Sequence, residues 1–185
     1  MRWIVRFYKV AELRYALSQK EQYTQCLKSL KETSEDSENQ QHLCQSSMEV
    51  YDFDCIVKKL YPMKQPASYD ALMVDEEKKL VYCIEFKNQR PSQINNANIK
   101  NKLTHGKEIL DTICANENVT KKDYQFIYCV VHKPAQNRYS NPLVDRETKF
   151  ELKAYIGTHF DKIVTNDIDF FKNEFKKEFN DEGCA

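Results

Sequence analysis

The stretch Ser68–Gln89 constrains the fold more than any other part of the chain. It opens with a largely apolar run, Ser68-Tyr69-Asp70-Ala71-Leu72-Met73-Val74, and continues through a charged turn, Asp75-Glu76-Glu77-Lys78. A second run follows, Lys79-Leu80-Val81-Tyr82-Cys83-Ile84-Glu85-Phe86-Lys87-Asn88-Gln89, rich in β-branched and aromatic residues. Two such runs joined by a short polar link predict an antiparallel hairpin. Side chains alternate along a strand, so Val81, Cys83, Glu85 and Lys87 share one face and Leu80, Tyr82, Ile84 and Phe86 the other. Both faces are largely apolar, which suits a strand in the middle of a covered sheet. Carboxylates and ammonium groups are rarely buried unless paired or bound to a metal. Asp70, at the start of the first strand, falls at the same end of the hairpin as Glu85 and Lys87, so two acids and a lysine gather at one edge of the sheet.

The rest of the chain predicts an α/β arrangement, a mixed central sheet flanked by helices. Leu13, Leu17, Tyr23, Cys26, Leu27 and Leu30 recur at helical spacing and predict a first helix over Val10–Leu30. Glu32–Gln41 contains no apolar residue and reads as a mobile loop. The expected division is therefore 1–41, a helical element with a polar loop, and 42–185, the main domain. A second helix is expected over His42–Tyr61, with Leu43, Val50, Phe53, Val57 and Leu60 as its stripe, Pro62 ending it and Glu49 beside the stripe. Asp52 and Asp54 read as acids on its flank. The strongest helical pattern is Ile94–Asn116, with Ile99, Leu103, Gly106, Leu110 and Ile113 inward and Lys100, Lys102 and Lys107 away from that line. Tyr124–His132 reads as another strand buried on both faces; a helix separates it from the hairpin, so it is expected to run parallel to one hairpin strand. Lys133–Arg146 reads as loop, Glu147–Gly157 as a short helix, Phe160–Thr165 as an edge strand and Asp167–Phe179 as a terminal helix.

Composition narrows the function. The chain has 185 residues, within the range of one domain able to bury a real core. Lys plus Arg and Asp plus Glu both number 28, so any basic surface must be local. No apolar run is long enough to cross a bilayer and Met1–Arg6 is interrupted early by charge, so a soluble, cytoplasmic protein with no membrane partner is expected. The seven cysteines are odd in number and scattered, which suits reduced thiols better than a disulfide framework. His42-Leu43-Cys44 is a zinc half-site with no second half. Three glycines, Gly106, Gly157 and Gly183, cannot build a phosphate-cradling loop, which sets aside P-loop and dinucleotide-binding readings.

Two carboxylates about 4 Å apart repel by about 4 kcal/mol at an effective dielectric near 20, so the folded chain must either protonate one or bind a cation between them, and a hard divalent ion is the natural guest. Oxygen ligands from Asp70, Glu85 and the main-chain carbonyl of Phe86, completed by water, suit Mg²⁺ or Mn²⁺. Such an ion polarises a phosphoryl oxygen and lowers the pKa of its water, and Lys87 on the same face could orient that water. Acid-x-Lys spacing also recurs at Glu76/Lys78, Glu77/Lys79, Glu147/Lys149, Glu151/Lys153 and Glu174/Lys176. Only the Glu85 copy ends an apolar strand whose partner carries an aspartate. The plainer alternative is a strand-capping Asp70 and a Glu85–Lys87 ion pair.

In this arrangement Asp70 and Glu85-Phe86-Lys87 resemble the PD-(D/E)XK nuclease superfamily, over roughly Glu49–His132. Tyr69 stands where the motif name has proline. The resemblance implies a restriction-endonuclease-like core, with Glu49 as the glutamate of the preceding helix and Gln89 as a polar residue touching the metal-bound water or the scissile phosphate. It implies a divalent-metal-dependent nuclease using Mg²⁺ or Mn²⁺, an endonuclease acting on DNA ahead of RNA. Lys100, Lys102 and Lys107, with Lys121 and Lys122, are candidate phosphate contacts, while His105 and His132 read as structural. A homodimer or a cognate protein partner is compatible with this reading. The rival is a catalytically silent binding or scaffold protein on the same fold.

Overall fold

A computed structural model describes residues 11–36, 40–134 and 148–168. The elements are α1 (Leu13–Ser18), α2 (Glu21–Thr24), β1 (Leu27–Ser29), α3 (Leu30–Thr33), β2 (Glu35–Asp36), β3 (Gln41–His42), β4 (Glu49–Asp52) and α4 (Phe53–Leu60). They continue with β5 (Ala71–Asp75), β6 (Leu80–Lys87), α5 (Asn96–Asn116), β7 (Gln125–His132) and β8 (Lys162–Asp167). Six strands form one mixed sheet in the order β1-β4-β5-β6-β7-β8; β2 and β3 pair separately as a short ribbon. The β1/β4, β4/β5 and β5/β6 pairs are antiparallel, whereas β6/β7 and β7/β8 are parallel. The α/β class, the hairpin and its parallel neighbour thus follow the sequence pattern. Among the described residues no helix is long and apolar enough to cross a membrane.

Strand alternation in β6 sends its two sets of side chains into two separate cores. Val81 and Cys83 join the core built with α1, α2, α4 and α5; Tyr82, Ile84 and Phe86 join the opposite one with Leu30, Val50, Ile127 and Val131. Glu85 belongs to the first face, the side covered by α5. That helix comes very close to the sheet at Gly106: a Cβ there would lie 2.6 Å from two ring carbons of Tyr69. The Tyr69 ring is fully buried and stacks on Phe53 with centroids 4.3 Å apart. Asn95 starts α5, its side chain accepting hydrogen bonds from the N–H groups of Ala97 and Asn98.

Four sequence expectations need correction. Glu32–Gln41, expected as a loop, carries the end of α3, all of β2 and the first residue of β3, which pairs with β2. The helix expected over Val10–Leu30, whose first residue lies outside the described set, is two short helices followed by β1. Helical spacing misled because α1, α2 and the chain just before β1 bury Leu13, Leu17, Tyr23 and Cys26 against the same core. The helix expected over His42–Tyr61 starts only at Phe53; before it, Glu49–Asp52 is a strand, with Val50 and Tyr51 pointing into opposite cores. The short β-branched and aromatic run took the edge of the hairpin, and Asp52 then caps the helix by accepting from Cys55 N–H at 2.8 Å. The cysteines are not all reduced: Cys26 and Cys55 form a disulfide with Cα atoms 5.7 Å apart, because α4 folds back over the chain entering β1. Cys83, Cys114 and Cys129 are buried thiols.

Elsewhere, Leu152–Tyr155 is a single 3₁₀ turn within the expected short helix, and β8 is the expected edge strand, shifted to Lys162–Asp167. Most of the Lys133–Arg146 loop and of the terminal Asp167–Phe179 helix lies outside the described residues.

Candidate functional site

The β5/β6 register pairs Ala71 with Ile84, which sets Asp70 opposite Glu85. At this point the ladder opens. Asp70 N–H still donates to the Ile84 carbonyl at 3.0 Å, but the Asp70 carbonyl accepts from Phe53 N–H at 3.0 Å, the first residue of α4. Phe86 N–H, left without that ladder partner, donates instead to the Asp70 side chain, reaching Oδ2 at 2.6 Å. The displaced hydrogen bond orients the Asp70 carboxylate and docks the start of α4 beside it.

Glu85 is fully buried. Its Oε2 and Asp70 Oδ1 converge on one nitrogen, the Lys102 ammonium, at 3.0 and 3.1 Å. Lys87 Nζ lies 2.6 Å from Glu85 Oε1. That contact is an ion pair without hydrogen-bond alignment, since Oε1 is buried with no hydrogen-bond donor. Burial, then repulsion by Asp70, push the Glu85 carboxyl up to about 7, while Lys102 and Lys87 pull the other way. Lys102 moves up as well, because Asp70, Glu85 and Asp54 together outweigh its desolvation. The two upward shifts carry opposite messages about the Glu85–Lys102 pair. They are reconciled by environment: Glu85 has lost all water and faces a second acid, whereas Lys102 faces three.

A cleft of about 480 Å³ opens over these groups, lined by Asp70, Phe86, Lys87, Gln89 and Lys102. Asp54, in the first turn of α4, also lines it and accepts from the Ser68 hydroxyl. Burial is the main reason its carboxyl sits above the usual range, with Asp70 adding to the effect. Sequence reasoning had Asp54 as a flank acid and Glu49 as the site acid. In the fold Glu49 is exposed on β4 and lines a different hollow, with Arg14, Tyr15 and Met73. The available signal was Asp52, a capping residue directly before an apolar stripe, which moves the helix start past Glu49 and puts Asp54 in its first turn.

Lys100, Lys102 and Lys107, among the lysines expected on phosphate, differ in placement. Lys100 pairs with Glu151. Lys107 is buried, pairs with Asp111 and lies 4.7 Å from the centroid of the Phe126 ring. Only Lys102 reaches the cleft, and it does so through the acids. The wall around it is acidic, with Glu32, Glu35, Asp36 and Asp52 joining Asp54 and Asp70 against Lys87 and Lys102. Asn88 ties the β2 segment to the end of β6, its side chain donating to Asp36 at 2.7 Å.

The donor set bears on a metal. Two carboxylate oxygens that meet on one cationic nitrogen can meet on a metal ion, and Mg²⁺ is commonly held by one or two carboxylates with water completing its shell. Asp70 and Glu85 fit that role. Among the described residues no group of three or more His, Cys, Asp or Glu side chains is spaced to hold an ion, so the remaining ligands would be water and main chain. Comparison with family models, curated proteins and solved structures finds no match for this chain.

Proposed function

We propose that the protein is a divalent-metal-dependent nuclease of the PD-(D/E)XK kind, hydrolysing phosphodiester bonds internally and acting on DNA ahead of RNA. The observation that carries this reading is the convergence of Asp70 Oδ1 and Glu85 Oε2 on a single cationic point, with Lys87 at the other oxygen of Glu85. Asp70 and Glu85 would hold Mg²⁺ or Mn²⁺, which supplies Lewis acidity and a water of lowered pKa. Phe86 N–H fixes the Asp70 carboxylate. Lys87 keeps its ammonium at the cleft wall, where it can donate to a water or a phosphate oxygen. Gln89 lines the same cleft and offers an amide to the same groups. Asp54, rather than Glu49, is the acid that α4 contributes.

The test is incubation with plasmid DNA and with RNA in Mg²⁺, Mn²⁺ or chelator, comparing wild type with Glu85→Ala and Lys87→Ala. Metal-dependent cleavage falling by about 100-fold or more in both variants is expected. Cleavage that survives both substitutions overturns the assignment. The acidic cleft wall favours a second reading, a silent binding or scaffold protein, because a polyanion gains affinity from lysine and arginine and loses it to carboxylates. A folded wild type that cleaves neither nucleic acid with either metal selects that reading. The working compartment follows from the Cys26–Cys55 bond more than from the cysteine count. A bond of this kind persists in oxidising surroundings, which counts against the expected cytoplasmic setting.

A further inference from the structure

The place where a cation would sit is held by a charge of the chain itself. Lys102 lies one helical turn before Gly106 on the same face of α5, and the close approach of that helix at Tyr69 brings Lys102 down onto the end of the hairpin. Its ammonium is within hydrogen-bond distance of one oxygen from each acid, 3.1 Å from Asp70 and 3.0 Å from Glu85. Lys87 is placed differently, beside the other oxygen of Glu85 only.

We propose that Lys102 is a built-in stand-in for the divalent cation: its ammonium bridges Asp70 and Glu85 in the metal-free chain and swings into the cleft when Mg²⁺ or Mn²⁺ enters. The inference rests on the metal-dependent reading above and adds to it how the site is regulated. Two cations cannot share the same pair of oxygens, since a metal at about 2.1 Å and an ammonium at 3 Å from them would be near neighbours repelling strongly. A lysine suits exchange, because its point charge sits on a flexible four-carbon stem with no fixed fork to break. It also has somewhere to go: Asp52, Asp54, Glu35 and Asp36 line the cleft that Lys102 already borders. Metal binding and lysine release then form one equilibrium, and the apparent metal affinity is lowered by the fraction of chains in which Lys102 is out. Release also delivers positive charge to a wall where acids dominate, so the cleft becomes receptive to a phosphate only once the metal is in place.

The experiment uses the full chain with Mn²⁺ as the probe. Calorimetry compares wild type, Lys102→Met and Asp70→Asn, and acetic anhydride labelling read by peptide mass spectrometry follows Lys102 in the wild type with and without Mn²⁺. Lys102→Met is expected to bind Mn²⁺ about tenfold tighter or more. Asp70→Asn should lose binding, and labelling of Lys102 should rise several-fold on saturation. Equal Mn²⁺ affinities in wild type and Lys102→Met overturn the inference and leave the nuclease reading standing; no binding in either overturns both. Tighter binding by Lys102→Met without a rise in labelling shows a lysine that only repels from a fixed place, and also overturns it. If Lys102→Met does not fold, the labelling of wild type decides alone, and labelling unchanged by bound Mn²⁺ sinks the proposal.

Discussion

Gly106→Ala tests the packing that holds the site together. In the interior of an exposed helix this change normally stabilises by about 1 kcal/mol, because alanine has the better helix propensity. Here the added Cβ would lie 2.6 Å from Cδ1 and Cε1 of Tyr69, well inside van der Waals contact. The ring cannot retreat easily. It is fully buried, stacked on Phe53 at 4.3 Å and edge-on to Tyr128 at 6.2 Å. Forcing extra volume into such a packed core costs about 1–3 kcal/mol, so the two effects together give a net loss of up to about 2 kcal/mol. Urea unfolding of wild type and Gly106→Ala measures it. The Tyr69→Leu background supplies the control, since removing the ring should restore the ordinary gain and reveal the coupling. A Gly106→Ala protein more stable than wild type by the full propensity gain would refute the close approach, and with it the reason for Lys102 reaching Asp70 and Glu85.

Stability should also fall as pH rises in the metal-free chain. Glu85 is raised from 4.5 to about 7 by folding, so between those values the folded state keeps a proton that the unfolded state has released. At about 1.36 kcal/mol per pH unit this amounts to about 3 kcal/mol. Glu85→Gln, which mimics the protonated acid, should gain on wild type by that amount between pH 4.5 and 8 in chelator, and a difference that stays flat with pH contradicts the burial argument. Breaking the Cys26–Cys55 bond with the Cys26→Ala/Cys55→Ala double variant should lower stability by about 2–4 kcal/mol, read as a shift in the denaturant midpoint from wild type; an unchanged midpoint counts against the bond. Asp52→Ala removes the α4 cap and the partner of Lys28 at 2.7 Å and should cost about 1 kcal/mol, with Asp52→Asn retaining most of it. Equal losses in the two variants would mean that the charge, not the cap, matters.

The hairpin, the central position of β6, the parallel β7 and the long α5 were legible because period-two and helical spacing over long apolar runs leave few other solutions. That Asp70 lies at the same end of the hairpin as Glu85 followed from its place at the start of the first strand; the register that sets the two opposite each other came from the structure. Shorter segments did not yield in this way. The expected helix over His42–Tyr61 is compatible with apolar spacing, and only the open edge of β5, a partner for Glu49–Asp52, turned part of it into strand and left Asp54 rather than Glu49 lining the cleft. Lys100 and Lys107 lie off the helical stripe and Lys102 at its border, one turn before Gly106, but spacing alone does not say which of the three charges reaches the acids. What separates them is how closely α5 rests on Tyr69, a contact between residues 37 positions apart that no local pattern encodes. Local spacing determined which charged groups lie along each element. The packing of helix on sheet decided which of them meet, because charges interact through space and the distances are set by the core.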